Sequence, residues 1–194
     1  NEYKDYAVNG GTGEACCMER NNGVGPNNGI GAVNYFPRIS DIPDGTSNTL
    51  AFAEMKAFQP YLRDGANPNA PGAMAPQAPI AIGSLGGNLK VDSGHTEWVD
   101  SRSHQTGVTA TFAPNTKVLY TAAGREYDID FSSSREGKTL TNVTYAAVTS
   151  RSYHPNGVNG LMADGSVRFV NNTIELAVWR SMFTRAGNEP GIRD

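Results

Sequence analysis

The side chains with the most chemistry in this 194-residue sequence are its three histidines, His95, His104 and His154. His95 and His104 fall in "HTEWVDSRSH" with Glu97 and Asp100 between them, and His154 opens "HPNGVNGLMADG". Three imidazoles with a carboxylate form a competent ligand set for zinc, copper or non-haem iron. The spacing matches no linear zinc motif. His95 and His104 converge only across a turn, and His154 must arrive from another element. The competing reading is structural: in a loop-rich chain each ring donates a hydrogen bond to a nearby carboxylate or carbonyl.

Other chemistries find less support. No serine sits in a G-x-S-x-G elbow, and Ser166 directly follows a turn, where it faces sheet or solvent. The Gly-rich start lacks the Lys-Ser/Thr of a phosphate-cradling loop. Glu97, Asp100, Asp128 and Asp130 could flank a glycosidic bond, but nothing selects a pair among them. Asp41, Asp44 and Asn48 carry oxygen ligands suited to Ca²⁺ without the spacing and closing Glu of a calcium loop, so turn and capping roles explain them better. The adjacent Cys16-Cys17 pair is strained as a bridge and lacks the two-residue spacer of a redox or metal motif. Trp98, Tyr120, Tyr127 and Tyr153 are candidates for stacking on sugar rings or on a partner, although aromatics in a sheet protein mostly build core.

The elements that must position these residues are short. With 22 Gly, 11 Pro and only 18% charged residues, the composition predicts short strands and long loops. A formal net charge of −3 without a basic run leaves no footprint for nucleic acid or anionic lipid. The chain is read as one domain, 1–194, with a loop-rich start over 1–38 and a Pro/Gly/Ala-rich loop over 59–90. Residues 49–55 follow the turn "PDG" as a strand or short helix, and 93–114 reads as extended structure with a bend. "REYDIDF" reads as a strand with Tyr127, Ile129 and Phe131 on one face.

The ending, 145–187, is the most legible part. Strands over 158–163 and 166–170 are joined by a two-residue Asp164-Gly165 turn. Asn172 is expected to cap an amphipathic helix, with Glu175 closing a capping box and Ile174, Val178 and Met182 down one stripe with Trp179 and Phe183 beside it, until Gly187 stops it. Ten positions separate His154 from Asp164, which puts His154 beyond the paired region, so the two need not touch. The fold class is α+β, mostly antiparallel, with this helix lying on the sheet.

The stretches "DIPDGTSNTLAFAE", "SGHTEWVDSRSHQTGVTATFAPNTKV", "YDIDFSSSREGK" and "TYAAVTSRSYHPNGVNGLMADGSVRFVNNTIELAVWRSMFTRAGNE" resemble the DUF1559 family, which is rich in planctomycete proteins. Its C-terminal signature, the prepilin-type processing-associated H-X9-DG domain, is matched by His154, the residues 155–163 and Asp164-Gly165.

The resemblance implies a secreted or cell-surface protein with a pilin-like globular part. Members begin with a type IV pilin-like leader and a hydrophobic helix. The chain as given opens past those segments, and membrane attachment is expected only through that helix. The implied role is a pilin- or pseudopilin-like structural or interaction subunit of an extracellular appendage or secretion system, with other pilin-like subunits or secretion machinery as partners. No cofactor is expected on this reading. The alternative is a secreted metal-dependent enzyme or carbohydrate-binding module acting on extracellular polysaccharide, holding Zn, Cu, Fe or Ca. The resemblance carries no catalytic residues. His154 is expected to orient the hairpin's entry through a hydrogen bond to a neighbouring loop.

Overall fold

The computed structural model describes residues 6–12, 14–16, 28–31, 37–66, 78–97, 99–133 and 144–187. In chain order these form β1 (Tyr6–Asn9), β2 (Glu14–Cys16), β3 (Leu50–Glu54), β4 (Tyr61–Arg63), β5 (Asn88–Lys90), the single-turn helix α1 (Ser103–Thr106) and β6 (Gly107–Val108). They continue with β7 (Leu119–Ala122), β8 (Arg125–Asp128), β9 (Asp130–Ser132), β10 (Thr144–Ala147), β11 (Gly157–Met162), β12 (Val167–Asn171) and α2 (Leu176–Ser181).

Two five-stranded sheets result, ordered β12-β11-β3-β1-β6 and β2-β10-β9-β4-β5, with β7 and β8 as a separate hairpin. The fold is α+β, dominated by sheet. Most pairs are antiparallel, but β1 runs parallel to β6 and β4 parallel to β9, so both large sheets are mixed.

The first sheet packs one face on a core of Leu50, Ala53, Val158, Met162 and Val170, closed by Trp179, Met182 and Phe183 from α2 and the residues after it. The second surrounds Leu62, Ile82, Val118, Ile129 and Phe131. The strand expected in "REYDIDF" is two strands in different sheets, broken at Ile129. Its face assignment still holds in effect, because Tyr127, Ile129 and Phe131 all pack on the second core. Residues 59–90 are not simply a loop, since they contribute β4 and β5; strands of three residues are too short to show a period. The bend expected in 93–114 includes the helical turn α1.

Two expectations for the chain's end need correction. Asn172 does not cap a helix. α2 spans only six residues, its N-cap is Glu175 without a side-chain cap bond, and no capping box forms. Asn171 takes the turn instead, its Oδ1 accepting from both the N–H and the hydroxyl of Thr173 at 2.9 Å. Of the residues expected on the buried side, Trp179, Met182 and Phe183 are buried, while Val178 is half-buried and Ile174 packs at the margin.

The hairpin turn is also longer than the two residues expected. Gly165 N–H bonds Met162 O at 3.0 Å while Met162 N–H bonds Ser166 O at 2.8 Å, enclosing 163–165 in a three-residue loop. Gly165 lies at φ +90°, the left-handed position such a loop requires and glycine tolerates.

Candidate functional site

Glu54 ends β3 inside an otherwise apolar strand, and a carboxylate there needs partners to offset its desolvation. It has three donors. His154 Nε2 donates to Oε1 at 3.0 Å, Asn159 Nδ2 to the same oxygen at 3.1 Å, and Asn159 N–H to Oε2 at 2.6 Å. The Glu54 carbonyl accepts from Arg151 N–H at 3.1 Å and Ser150 Oγ at 2.7 Å. His154 therefore does anchor the hairpin's entry, but on a strand carboxylate rather than on a loop.

The far end of the signature is tied to the same stretch of chain. Asp164 N–H bonds Thr46 O at 3.1 Å and Ala163 N–H bonds Thr49 O at 2.8 Å, docking the turn on the segment that leads into β3. The Asp164 carboxylate accepts from Ser166 N–H at 2.9 Å and Ser166 Oγ at 2.7 Å. His154 and Asp164 thus serve opposite ends of β11, each with its own partners, and the nine intervening residues span the strand that lies between them. The signature is a two-ended staple of β11 onto residues 46–54.

His154→Ala removes one of three donors to Glu54. The expected result is a loss of about 1–3 kcal/mol, toward the lower end because Asn159 remains. Urea unfolding at pH 7 checks it, and an unchanged midpoint would contradict the staple.

The other two histidines belong to a different cluster. His95 Nδ1 lies 3.1 Å from Gln105 O and Nε2 3.2 Å from Asp130 Oδ2. Asp130 also binds Arg151 Nη1 and accepts from Thr149 N–H at 3.2 Å. Arg151 Nη2 reaches Asp128 Oδ1 at 3.0 Å and Ile129 O at 3.2 Å. Asp130 and Arg151 are each 2% exposed. Burial alone would raise the Asp130 pKa, but the Arg151 charge and the His95 hydrogen bond outweigh it and hold the carboxyl below its usual range. Arg151 binds the first sheet through its backbone and the second through its guanidinium. This cluster is an inter-sheet tie.

His104 is buried, with its ring stacked on Tyr61 at 4.6 Å and 19° and its Nδ1 without a hydrogen-bond partner. Burial drops its pKa from 6.5 to about 4. Asp100 opposes the drop, while Arg102, His95 and Arg63 add to it. The imidazole is neutral at physiological pH. Gln105 organises the loop ahead of it, its Oε1 accepting from Thr96 and Glu97 N–H at 3.0 Å each.

The proposed metal set does not form a three-ligand group among the described residues, although His95 and His104 are joined through the backbone, His95 N–H bonding His104 O at 3.0 Å. His95 contacts Asp130, His104 contacts Tyr61 and His154 contacts Glu54. Asp100 accepts from Arg102 N–H at 3.0 Å, and Glu97 Oε1 accepts from Ser93 at 3.3 Å. Among the described residues no group of three His, Cys, Asp or Glu side chains is arranged to hold a metal ion.

The calcium reading of Asp41, Asp44 and Asn48 gives way to capping. Asp41 accepts from Arg38 N–H at 2.8 Å, Asp44 from Gly187 N–H at 2.7 Å, and Asn48 Nδ2 donates to Asp44 O at 3.0 Å. Of the acids weighed as a glycosidase pair, Asp128 and Asp130 both serve Arg151.

Among the aromatic candidates, Tyr120 and Tyr127 are half-buried against the second core, and Arg125 lies 5.0 Å over the Tyr127 ring. Tyr153 is 86% exposed, with Lys56 Nζ 5.0 Å from its ring centroid. Trp98, Cys17 and the side chain of Cys16 lie outside the described residues. Sequence reasoning missed Glu54, Asn159 and Arg151, although a lone carboxylate in "LAFAEM" was a signal that a buried partner had to exist.

The fold and its centre thus define a two-sheet α+β protein whose titratable side chains hold strands together. The chain belongs to the DUF1559 family: the family model described as "Protein of unknown function (DUF1559)" matches residues 1–177. No curated protein and no solved structure matches it. No helix among the described residues is long and apolar enough to cross a membrane.

Proposed function

We propose that the chain is the globular part of a secreted, pilin- or pseudopilin-like subunit of an extracellular appendage or secretion apparatus, acting by contact rather than by catalysis. The observation that carries this reading is the outer face of the first sheet. Val167, Leu161 and Phe52 stand in direct register across β12, β11 and β3, and Val167 and Phe52 are 66% and 40% exposed. Phe169, 54% exposed, extends the row. A contiguous apolar patch held on a rigid sheet is the mark of an interaction surface. Membership in DUF1559 supports the same reading, through the pilin-type precursors implied by the resemblance.

Partners on this reading are other pilin-like subunits or the secretion machinery, and the location is the cell surface or beyond. The test is the reading frame ahead of Asn1. It is expected to encode a leader and an apolar helix of about twenty residues. A frame with no such helix would overturn the proposal.

A further inference from the structure

We propose that α1 is an acid-released latch: a proton on His104 frees the helical turn from β4 and opens the junction where the two sheets are tied. The inference goes beyond the reading of the chain as a subunit and does not depend on it.

α1 is a single turn of helix, too short to hold its shape without packing. It grips the segment 93–97. The His104 carbonyl accepts from His95 N–H at 3.0 Å, and the Gln105 carbonyl lies 3.1 Å from His95 Nδ1. The Gln105 side chain closes the same contact, its Oε1 on Thr96 and Glu97 N–H and its Nε2 donating to Ser93 Oγ at 3.0 Å. Two rings seat this unit on the second sheet, His104 on Tyr61 and His95 on Asp130. His95 is held at φ +59°, a left-handed conformation uncommon for a residue with a side chain, so opening also relaxes the backbone.

The His104 ring is where a proton does most. An imidazolium carries a proton on both nitrogens, and Nδ1 is buried without a partner, so the charged ring always buries an unsatisfied donor. Its neighbours do not compensate. Asp100 alone attracts the charge, against Arg102 on the same segment, His95 opposite and Arg63 on β4. α1 also packs on β9, β6 and β1. Asp130 of β9 is already engaged by His95 and Arg151, while Gly107 and Val108 of β6 and Ala7, Val8 and Asn9 of β1 carry no charge. The open form, with its ring in water, therefore takes the proton first. From a docked pKa of about 4 against 6.5 for a free ring, the opening constant rises about twentyfold from pH 7 to pH 5, and about a hundredfold by pH 4.

The test is native-state amide exchange on the 194-residue chain from pH 7 to pH 4, with rates corrected for the intrinsic effect of pH, alongside His104→Phe. The N–H groups of His95, Thr96 and Glu97 all donate to α1 and report its release. Those of Ile129 and Ser133, bonded to Val118 O and Tyr145 O, report global unfolding. The α1 reporters are expected to exchange through a smaller opening that low urea hardly affects, and that opening should grow about twentyfold between pH 7 and pH 5. In His104→Phe it should stay level.

Reporters that open only together with Ile129 and Ser133 would overturn the proposal, because α1 would then leave only with the whole fold. So would an opening indifferent to pH in the wild type, or a pH response that persists in His104→Phe. The wild-type series decides by itself if the variant does not fold. None of these results bears on the reading frame ahead of Asn1, so the latch can fail while the subunit reading stands.

Discussion

Arg151→Met is expected to lower stability by about 3–5 kcal/mol at neutral pH, because it leaves the Asp130 carboxylate buried and uncompensated. The methionine fills much of the volume without replacing the bonds to Asp130, Asp128 and Ile129 O. The pH dependence carries its own sign. In the native protein the Asp130 pKa is lowered, so its contribution is complete above the ordinary value of 3.8 and is lost as pH falls below it toward the folded value. In Arg151→Met the stranded carboxyl prefers its neutral form, so the deficit shrinks as the solution is acidified. Urea unfolding at pH 7 and again near pH 4 measures both effects. A deficit under about 1 kcal/mol at pH 7 would mean that the two sheets do not depend on this tie.

A second large effect comes from His104. Its ring is neutral and buried in the fold, whereas in the unfolded chain it takes up a proton below 6.5. Stability is therefore full above that pH and declines as the pH falls from 6.5 to about 4, by about 3 kcal/mol over the window. The variant His104→Phe keeps a flat ring for the stack on Tyr61 but cannot be protonated. Its stability should stay level across the same window. Parallel pH profiles for the two proteins would show that another group titrates there. The window lies above that of Asp130, so the two contributions separate on one acid titration.

Much of the final third was legible because local chemistry fixes it. The alternation in "VNGLM" and "VRFVN" and the Asp-Gly turn placed β11 and β12 within a residue or two. The error in loop length arose because Asp-Gly suits two hairpin geometries, and the docking of the turn on Thr46 and Thr49 is a tertiary contact that the local sequence does not carry. The helix was overextended because Asn171 and Asn172 are both competent caps, and Asn171 was drawn into a turn that closes on Thr173.

Two of the three histidines, His95 and His154, are hydrogen-bonded ties as expected, whereas His104 stacks on Tyr61 with its Nδ1 unpartnered. The partners of His154 and His95, Glu54 and Asp130, lie 100 and 35 positions away, and no periodicity links such distances. What the sequence did contain was a set of charges in apolar surroundings: Glu54 in "LAFAE", Asp130 in "DIDF" and Arg151 after "YAAVTS". Each had to find a partner.

The most direct test of the H-X9-DG signature as a staple is a double-mutant cycle of His154→Ala and Glu54→Ala, followed by urea unfolding. If the histidine acts through Glu54, the two losses should fall short of additive by about 1 kcal/mol or more. Strict additivity would contradict the account, and would mean that the signature histidine serves something other than the strand it touches.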